Sequence, residues 1–118
     1  MIFFLDSASA SFKQGLVLLS LPLPSRNELC EFTLRPVTHS VKDLVQFIKD
    51  EDGGVERAAI YNSDGIRVSL STPIDILMQN DFKIIINENE YEVVPPKGGE
   101  ERFLYFLLSI SEMYIKEQ

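Results

Sequence analysis

The sequence predicts an α+β fold: a mixed sheet crossed by one main helix, with a short helix and a C-terminal helix added. Three patterns predict it. Val41, Leu44, Val45 and Ile48 recur at the spacing of one helical face, while Lys42, Asp43, Gln46 and Lys49 fall on the other. Short runs such as Phe82–Ile86 are rich in β-branched residues and bounded by turn formers. Between Ala58 and Asn87, a strand pair joined at Asp64-Gly65 is followed by one turn of helix and a returning strand. A helix and a sheet each carry an apolar face, and laying one on the other buries both.

The elements follow in order. Ile2–Leu5 reads as a strand or a tail, and Ser7–Ser11 is small and polar. Lys13-Gln14-Gly15 is a turn. Leu16–Leu23 fits a buried strand, broken by Pro24-Ser25-Arg26-Asn27. Leu29–Leu34 returns, with Leu29, Glu31 and Thr33 on one face and Cys30, Phe32 and Leu34 on the other. Pro36 ends it, having no N–H for a ladder. Ser40 caps the main helix, with Asp43 three positions on. That helix stops near Asp52-Gly53-Gly54, where glycine can adopt the left-handed conformation. Ala58–Tyr61 is a strand. Asp64-Gly65 supplies the positive φ of a tight turn, and Ile66, Val68 and Leu70 alternate with Arg67 and Ser69 as a half-buried strand. Thr72 caps the short helix, Pro73 takes its first position, and Asp75 lies three after the cap. Asp81 ends that helix. Asn87-Glu88-Asn89 is a turn, and Tyr91–Val94 is a strand closed by Pro95-Pro96.

Residues 1–97 therefore read as one domain, with a divergent segment over 1–14. Residues 98–118 read as a linker and an amphipathic helix carrying Phe103, Phe106, Leu107, Ile110, Met113 and Tyr114. The order β-β-α-β-β-(short helix)-β-β-α is met most simply by a β-grasp-like (ubiquitin-like) arrangement.

The bulk properties narrow the function. A chain of 118 residues is one domain, large enough to fold without a disulfide or a metal. The single cysteine, Cys30, has no internal partner, which fits a reducing compartment. The formal net charge of −7 opposes binding to nucleic acid or to anionic membranes, and favours a cation or a basic partner surface. No apolar run approaches the roughly 20 residues of a membrane helix, so no direct membrane insertion by this segment is expected. Met1–Leu5 lacks the basic flank and the length of a signal peptide.

Several motifs together carry a resemblance. LPSRNELCEFTLRP (Leu23–Pro36), Ser40-Val41, ERAAIYNSDGIRVSLST (Glu56–Thr72), Ile74-Asp75, DFKIIIN (Asp81–Asn87) and YEVVPPK (Tyr91–Lys97) occur in order and at family spacing. The chain resembles the N-terminal matrix domain of the mitochondrial calcium uniporter pore subunit or its non-conducting paralogue, over about Gly15 to Lys97. The resemblance implies a β-grasp-like domain on the matrix side of the inner membrane that is not itself the channel. It implies modulation of calcium uptake through self-association and through a divalent-cation-sensitive acidic face. The implied partners are its own copies, the rest of the channel subunit and the regulators of the uniporter complex. Asp64 matches one acidic position of that face. A second falls on Asn80, beside Asp81, a departure from the family pattern.

The candidate metal-ligating residues are thus Asp64, Asp81 and Asp75. Hard cations want six or more oxygens, so two or three exposed carboxylates offer at most a weak Ca²⁺ or Mg²⁺ site, and no cofactor is implied. Aspartate before glycine is also plain turn chemistry at Asp64, and Asp75 also serves as a helix-capping acid. Asp50-Glu51-Asp52 is spaced unlike a calcium loop and reads as a solvated helix end. Ser25, next to Arg26 in an exposed turn, is a candidate phosphorylation site. Cys30 is a candidate for redox modification, against the simpler reading of a small buried hydrophobe. His39, the only histidine, reads as solvent-facing and unpartnered. No nucleophile–base pair, phosphate loop or dinucleotide fingerprint appears, so an enzyme is not expected. The alternative is another ubiquitin-like or doublecortin-like interaction module, though microtubule-gripping domains of the latter kind tend to be basic.

Overall fold

The computed structural model describes residues 8–97. Six strands and two helices run in the order β1 (Ser9–Lys13), β2 (Leu16–Leu21), β3 (Cys30–Leu34), α1 (Val41–Glu51), β4 (Ala58–Asn62), α2 (Ile74–Leu77), β5 (Phe82–Ile86) and β6 (Asn89–Val93). The α+β class, the main helix and the short helix are those the sequence predicts. The segment Ile2–Leu5 and the C-terminal helix expected after Phe103 lie outside the described residues.

The sheet arrangement is finer than the sequence reading. The strands form two three-stranded antiparallel sheets, β1-β2-β3 and β4-β5-β6, where the pattern suggests one mixed sheet. Connection length explains this. Gln14 and Gly15, with φ of 54° and 78°, join β1 to β2 as a two-residue turn. Asn87, with φ 56°, opens an equally short turn from β5 to β6. Turns this tight can only make antiparallel neighbours, since a parallel pair needs a crossover of about a dozen residues. The long connection, from β3 to β4, carries α1 into the second sheet. β1 falls partly in the polar stretch at Ser7–Ser11. It is an edge strand whose alternation is muted, with Ala10 and Phe12 half-buried and Ser9, Ser11 and Lys13 exposed.

One core joins all the other elements. Val17, Leu19 and Leu21 of β2 and Phe32 and Leu34 of β3 meet Val41, Leu44 and Ile48 of α1. Ile60, Phe82, Ile84, Ile86 and Val93 close it from the second sheet, with Ile74 and Leu77 of α2 below. Every one of these sits on the alternate or helical face that the sequence period assigns, and burying each large aliphatic chain contributes about 1.5–3 kcal/mol.

The predicted strand over Ile66–Leu70 does not form. Only Arg67 bridges β4, opposite Tyr61, and Val68 N–H donates to the Ile60 carbonyl at 2.8 Å. Beyond it the backbone is used elsewhere. The carbonyls of Thr72 and Leu70 accept the N–H groups of Val41 and Lys42, both at 2.9 Å. These are first-turn donors of α1 that have no partner inside the helix. Ser40 N–H is taken by Asp43 at 2.9 Å, as the predicted cap requires. The segment after Val68 thus caps a helix instead of extending a ladder. In consequence Ile66 is 63 % exposed and Leu70 44 % exposed, not buried.

α2 starts one residue later than predicted. Pro73, not Thr72, is its cap, and the N–H groups of Ile74 and Asp75 are satisfied by the carbonyls of His39 and Pro36. The two helix starts are therefore interlocked through loops 36–40 and 70–73. His39 belongs to this junction and is not a free solvent group. Its Nδ1 accepts the Arg35 N–H at 2.8 Å, and its ring meets Phe47 edge-on at 5.2 Å.

Candidate cation-responsive hairpin end

Strand register brings two of the predicted acids to one end of the second sheet. Asn62 pairs with Phe82, and Phe82 pairs with Val93. The turn after β4, the residue before β5 and the residues after β6 therefore share that end. Asp64 lies in the turn, Asp81 immediately precedes β5, and Lys97 follows β6.

The turn is built by Asn62. Its Oδ1 accepts the N–H groups of Asp64 and Ile66, both at 2.9 Å, and its carbonyl accepts Gly65 N–H at 3.0 Å. Gly65 alone carries the positive φ, 80°. The turn chemistry that aspartate might supply is already supplied by asparagine. Asp64 is exposed, and its carboxylate holds no hydrogen bond or ion pair among the described residues.

The other two acids are committed. Lys97 Nζ stands 3.3 Å from Asp81 Oδ1, an ion pair without hydrogen-bond alignment. Asp75 Oδ1 accepts the Ile76 N–H at 2.9 Å in the first turn of α2. Among the described residues no three His, Cys, Asp or Glu side chains gather in a group able to hold a metal ion. What this end offers a cation is one free carboxylate and one paired one, a matter of screening more than of enclosed coordination.

The modification candidates fall in the first sheet and in the loop between its second and third strands. Cys30 opens β3 as a half-buried free thiol. Ser25 is tied to the far end of α1. Its N–H donates to Asp52 Oδ2 at 2.8 Å, and Gly54 N–H donates to Asp52 Oδ1 at the same distance. The Ser25 hydroxyl joins the same carboxylate. These donors, the two backbone groups foremost, hold the Asp52 carboxyl below the usual carboxylate range. Next to it Arg26 reaches the Glu51 carbonyl at 3.0 Å and its carboxylate at 3.4 Å. Asp52 is thus a latch, buried to 4 % exposure, where the sequence suggests a solvated helix end. Neither Gly53 nor Gly54 takes the left-handed conformation expected there. The contact spans 27 residues of sequence, so no local pattern announces it.

The described residues form an α+β domain of two antiparallel sheets and two helices, with an acidic turn at one end. Its relatives are specific. Over 92 residues, 78 % of the chain, it is 42 % identical to the calcium uniporter protein, mitochondrial, of Danio rerio, and covers 24 % of that protein. It is 44 % identical over 86 residues, 73 % of the chain, to the Tribolium castaneum protein of the same name, covering 23 % of it. It is 42 % identical over 92 residues to the calcium uniporter regulatory subunit MCUb, mitochondrial, of Homo sapiens, covering 27 % of that subunit. No family model matches the chain. Across the aligned residues the chain belongs to the calcium uniporter family. It spans about a quarter of the length of the curated relatives it matches.

Proposed function

We propose that this domain is the regulatory and assembly module of a mitochondrial calcium channel subunit, lying on the matrix side of the inner membrane. It associates with its own copies and with the rest of the uniporter complex, and it does no chemistry of its own. Divalent cations at the end that carries Asp64 and Asp81 alter that association by screening charge there. The observation that carries this reading is the free Asp64 carboxylate on an exposed turn, in a chain whose relatives are uniporter subunits. The net charge of −7 adds to it, because copies of so acidic a domain repel until their charge is paired or screened.

Sedimentation of the full chain, with and without millimolar Ca²⁺ or Mg²⁺, tests it. A cation-dependent change in mass is expected, and Asp64→Arg is expected to abolish that dependence. An identical mass in all conditions, with Asp64→Arg also without effect, would remove the cation from the reading. A monomer at every concentration would remove self-association.

A further inference from the structure

The sequence holds two Asp-Gly pairs, Asp52-Gly53 and Asp64-Gly65, and the fold gives them opposite chemistry. Glycine has no Cβ to shield its main-chain nitrogen, so the carboxyl of a preceding aspartate can close a ring onto it. Closure needs a carboxyl free to turn toward that nitrogen. It needs some of that carboxyl in the neutral form, so that an oxygen can leave as water. It also needs a backbone that opens locally at little cost.

Asp64-Gly65 meets all three needs. The Asp64 carboxylate holds no hydrogen bond or ion pair among the described residues. Residues 63–67 are all exposed, so the turn opens without unpacking anything. The attacking nitrogen is held by the bond from Gly65 N–H to the Asn62 carbonyl, at 3.0 Å. Asp52-Gly53 meets none of them. Asp52 is buried, and its two oxygens accept the N–H groups of Ser25 and Gly54, each at 2.8 Å. Those bonds fix the carboxyl and favour its ionised form. Its backbone is tied as well, N–H to the Ile48 carbonyl and carbonyl to Val55 N–H. Space does not separate the pairs, since a Cβ on either glycine would meet nothing within 4 Å.

We propose that Asp64-Gly65 is a site of spontaneous aspartate isomerisation, and that the fold spares Asp52-Gly53. The Gly65 nitrogen attacks Cγ of Asp64. An N–C bond forms and one carboxyl C–O bond breaks, and that oxygen leaves as water with the carboxyl proton and the amide proton. The cyclic imide then takes water back. Addition at Cγ restores aspartate. Addition at the Asp64 main-chain carbonyl carbon leaves the chain running through Cγ, with the free carboxylate now on Cα. The step is intramolecular, consumes no reagent and leaves the mass unchanged. Its isoaspartyl product has an extra methylene in the main chain of a turn whose Asp64 and Ile66 N–H groups both end on Asn62 Oδ1. That spacing no longer fits, so the product loosens the hairpin tip. No ligand or partner enters the step, so it stands apart from the function proposed above.

Ageing the full chain at neutral pH tests it, followed by peptide mapping with fragmentation that separates isoaspartate from aspartate. Isoaspartate is expected to accumulate at Asp64 roughly tenfold or more faster than at Asp52. No gain in mass is expected, which distinguishes the product from deamidation at Asn62. In urea, where latch and turn are both lost, the two pairs are expected to react at similar rates. Asp64→Glu, whose side chain would have to close a larger ring, is expected to melt as the wild type does and to lose the signal from that peptide. A folded chain without isoaspartate at Asp64, or with equal rates at both pairs, overturns the proposal. So does a tenfold preference that persists in urea, because flanking sequence and not the fold would then select the site.

Discussion

Two aspartates that each precede a glycine show what this fold does with negative charge. Asp52-Gly53 and Asp64-Gly65 are alike as dipeptides, and both follow a secondary-structure element. Asp52 is buried, and both of its oxygens are spent on backbone N–H groups of Ser25 and Gly54. Asp64 is exposed and its carboxylate holds nothing, because Asn62 has taken the work of the turn. The first acid fastens the loop after β2 to the end of α1, and the second is left without a partner among the described residues. A carboxylate is available for function where a neighbour has already satisfied the backbone.

The largest effect should follow breaking the latch. Asp52→Ala strands two N–H groups and frees the loop at Ser25, and it should lower the melting temperature more than any variant below. The pH dependence has a definite sign. The folded carboxyl titrates below its unfolded value, so its stabilisation is present above an unfolded pKa of about 3.9 and is lost as pH falls through the folded one. The gap in melting temperature between wild type and Asp52→Ala should hold from pH 7 to about 5 and close in stronger acid. A gap that does not narrow at all as the pH falls below about 3.9 would mean that the ionised carboxylate is not what fastens the loop.

Glycines sharpen the contrast at the next level. A Cβ on Gly54 would stand 2.6 Å from Ser25 Oγ and 3.1 Å from Asp52 Oδ1, whereas one on Gly53 meets nothing within 4 Å. Gly54→Ala should cost about 1–3 kcal/mol by crowding the latch, and Gly53→Ala close to nothing. In the Asp52→Ala background the Gly54→Ala cost should shrink, since Ser25 is then free to move aside. Additive losses in urea titrations would argue that Gly54 acts independently of the latch. At the other aspartate, Gly65 has open space around it but φ of 80°. Gly65→Ala should therefore cost about 1 kcal/mol through the backbone alone, and Gly65→Asn less, because asparagine tolerates that region.

Legibility in the sequence followed the same division. Elements set by local period or by capping chemistry could be read, among them α1 from Ser40 and Asp43, β3 from its alternation, and the turns at Gln14-Gly15 and at Asn87. Elements set by distant backbone groups could not. Ile66, Val68 and Leu70 have the period of a strand, yet the carbonyls of Leu70 and Thr72 go to α1, so the strand is never made. β1 is held by the ladder to β2 and shows little apolar alternation of its own. At the hairpin end, the residue type at Asp64 was readable, but its freedom depended on Asn62. The burial of Asp52 arises from contacts across the fold, which no spacing rule encodes.

The smallest effect on stability should come from the second aspartate, and it separates holding from sensing. Asn62→Ala removes an oxygen that accepts two N–H groups and should cost about 1 kcal/mol. Asp64→Asn removes charge from a side chain that supports nothing and should change stability by less than about 0.5 kcal/mol. If Asp64 is kept for a ligand, Asp64→Asn should nevertheless remove most of the change in sedimentation that millimolar Mg²⁺ produces, while Asn62→Ala, once folded, should retain it. The reverse pattern, an Asp64→Asn domain that melts early and still responds to Mg²⁺, would make Asp64 a second structural acid. The hairpin end would then differ from the latch in exposure but not in purpose.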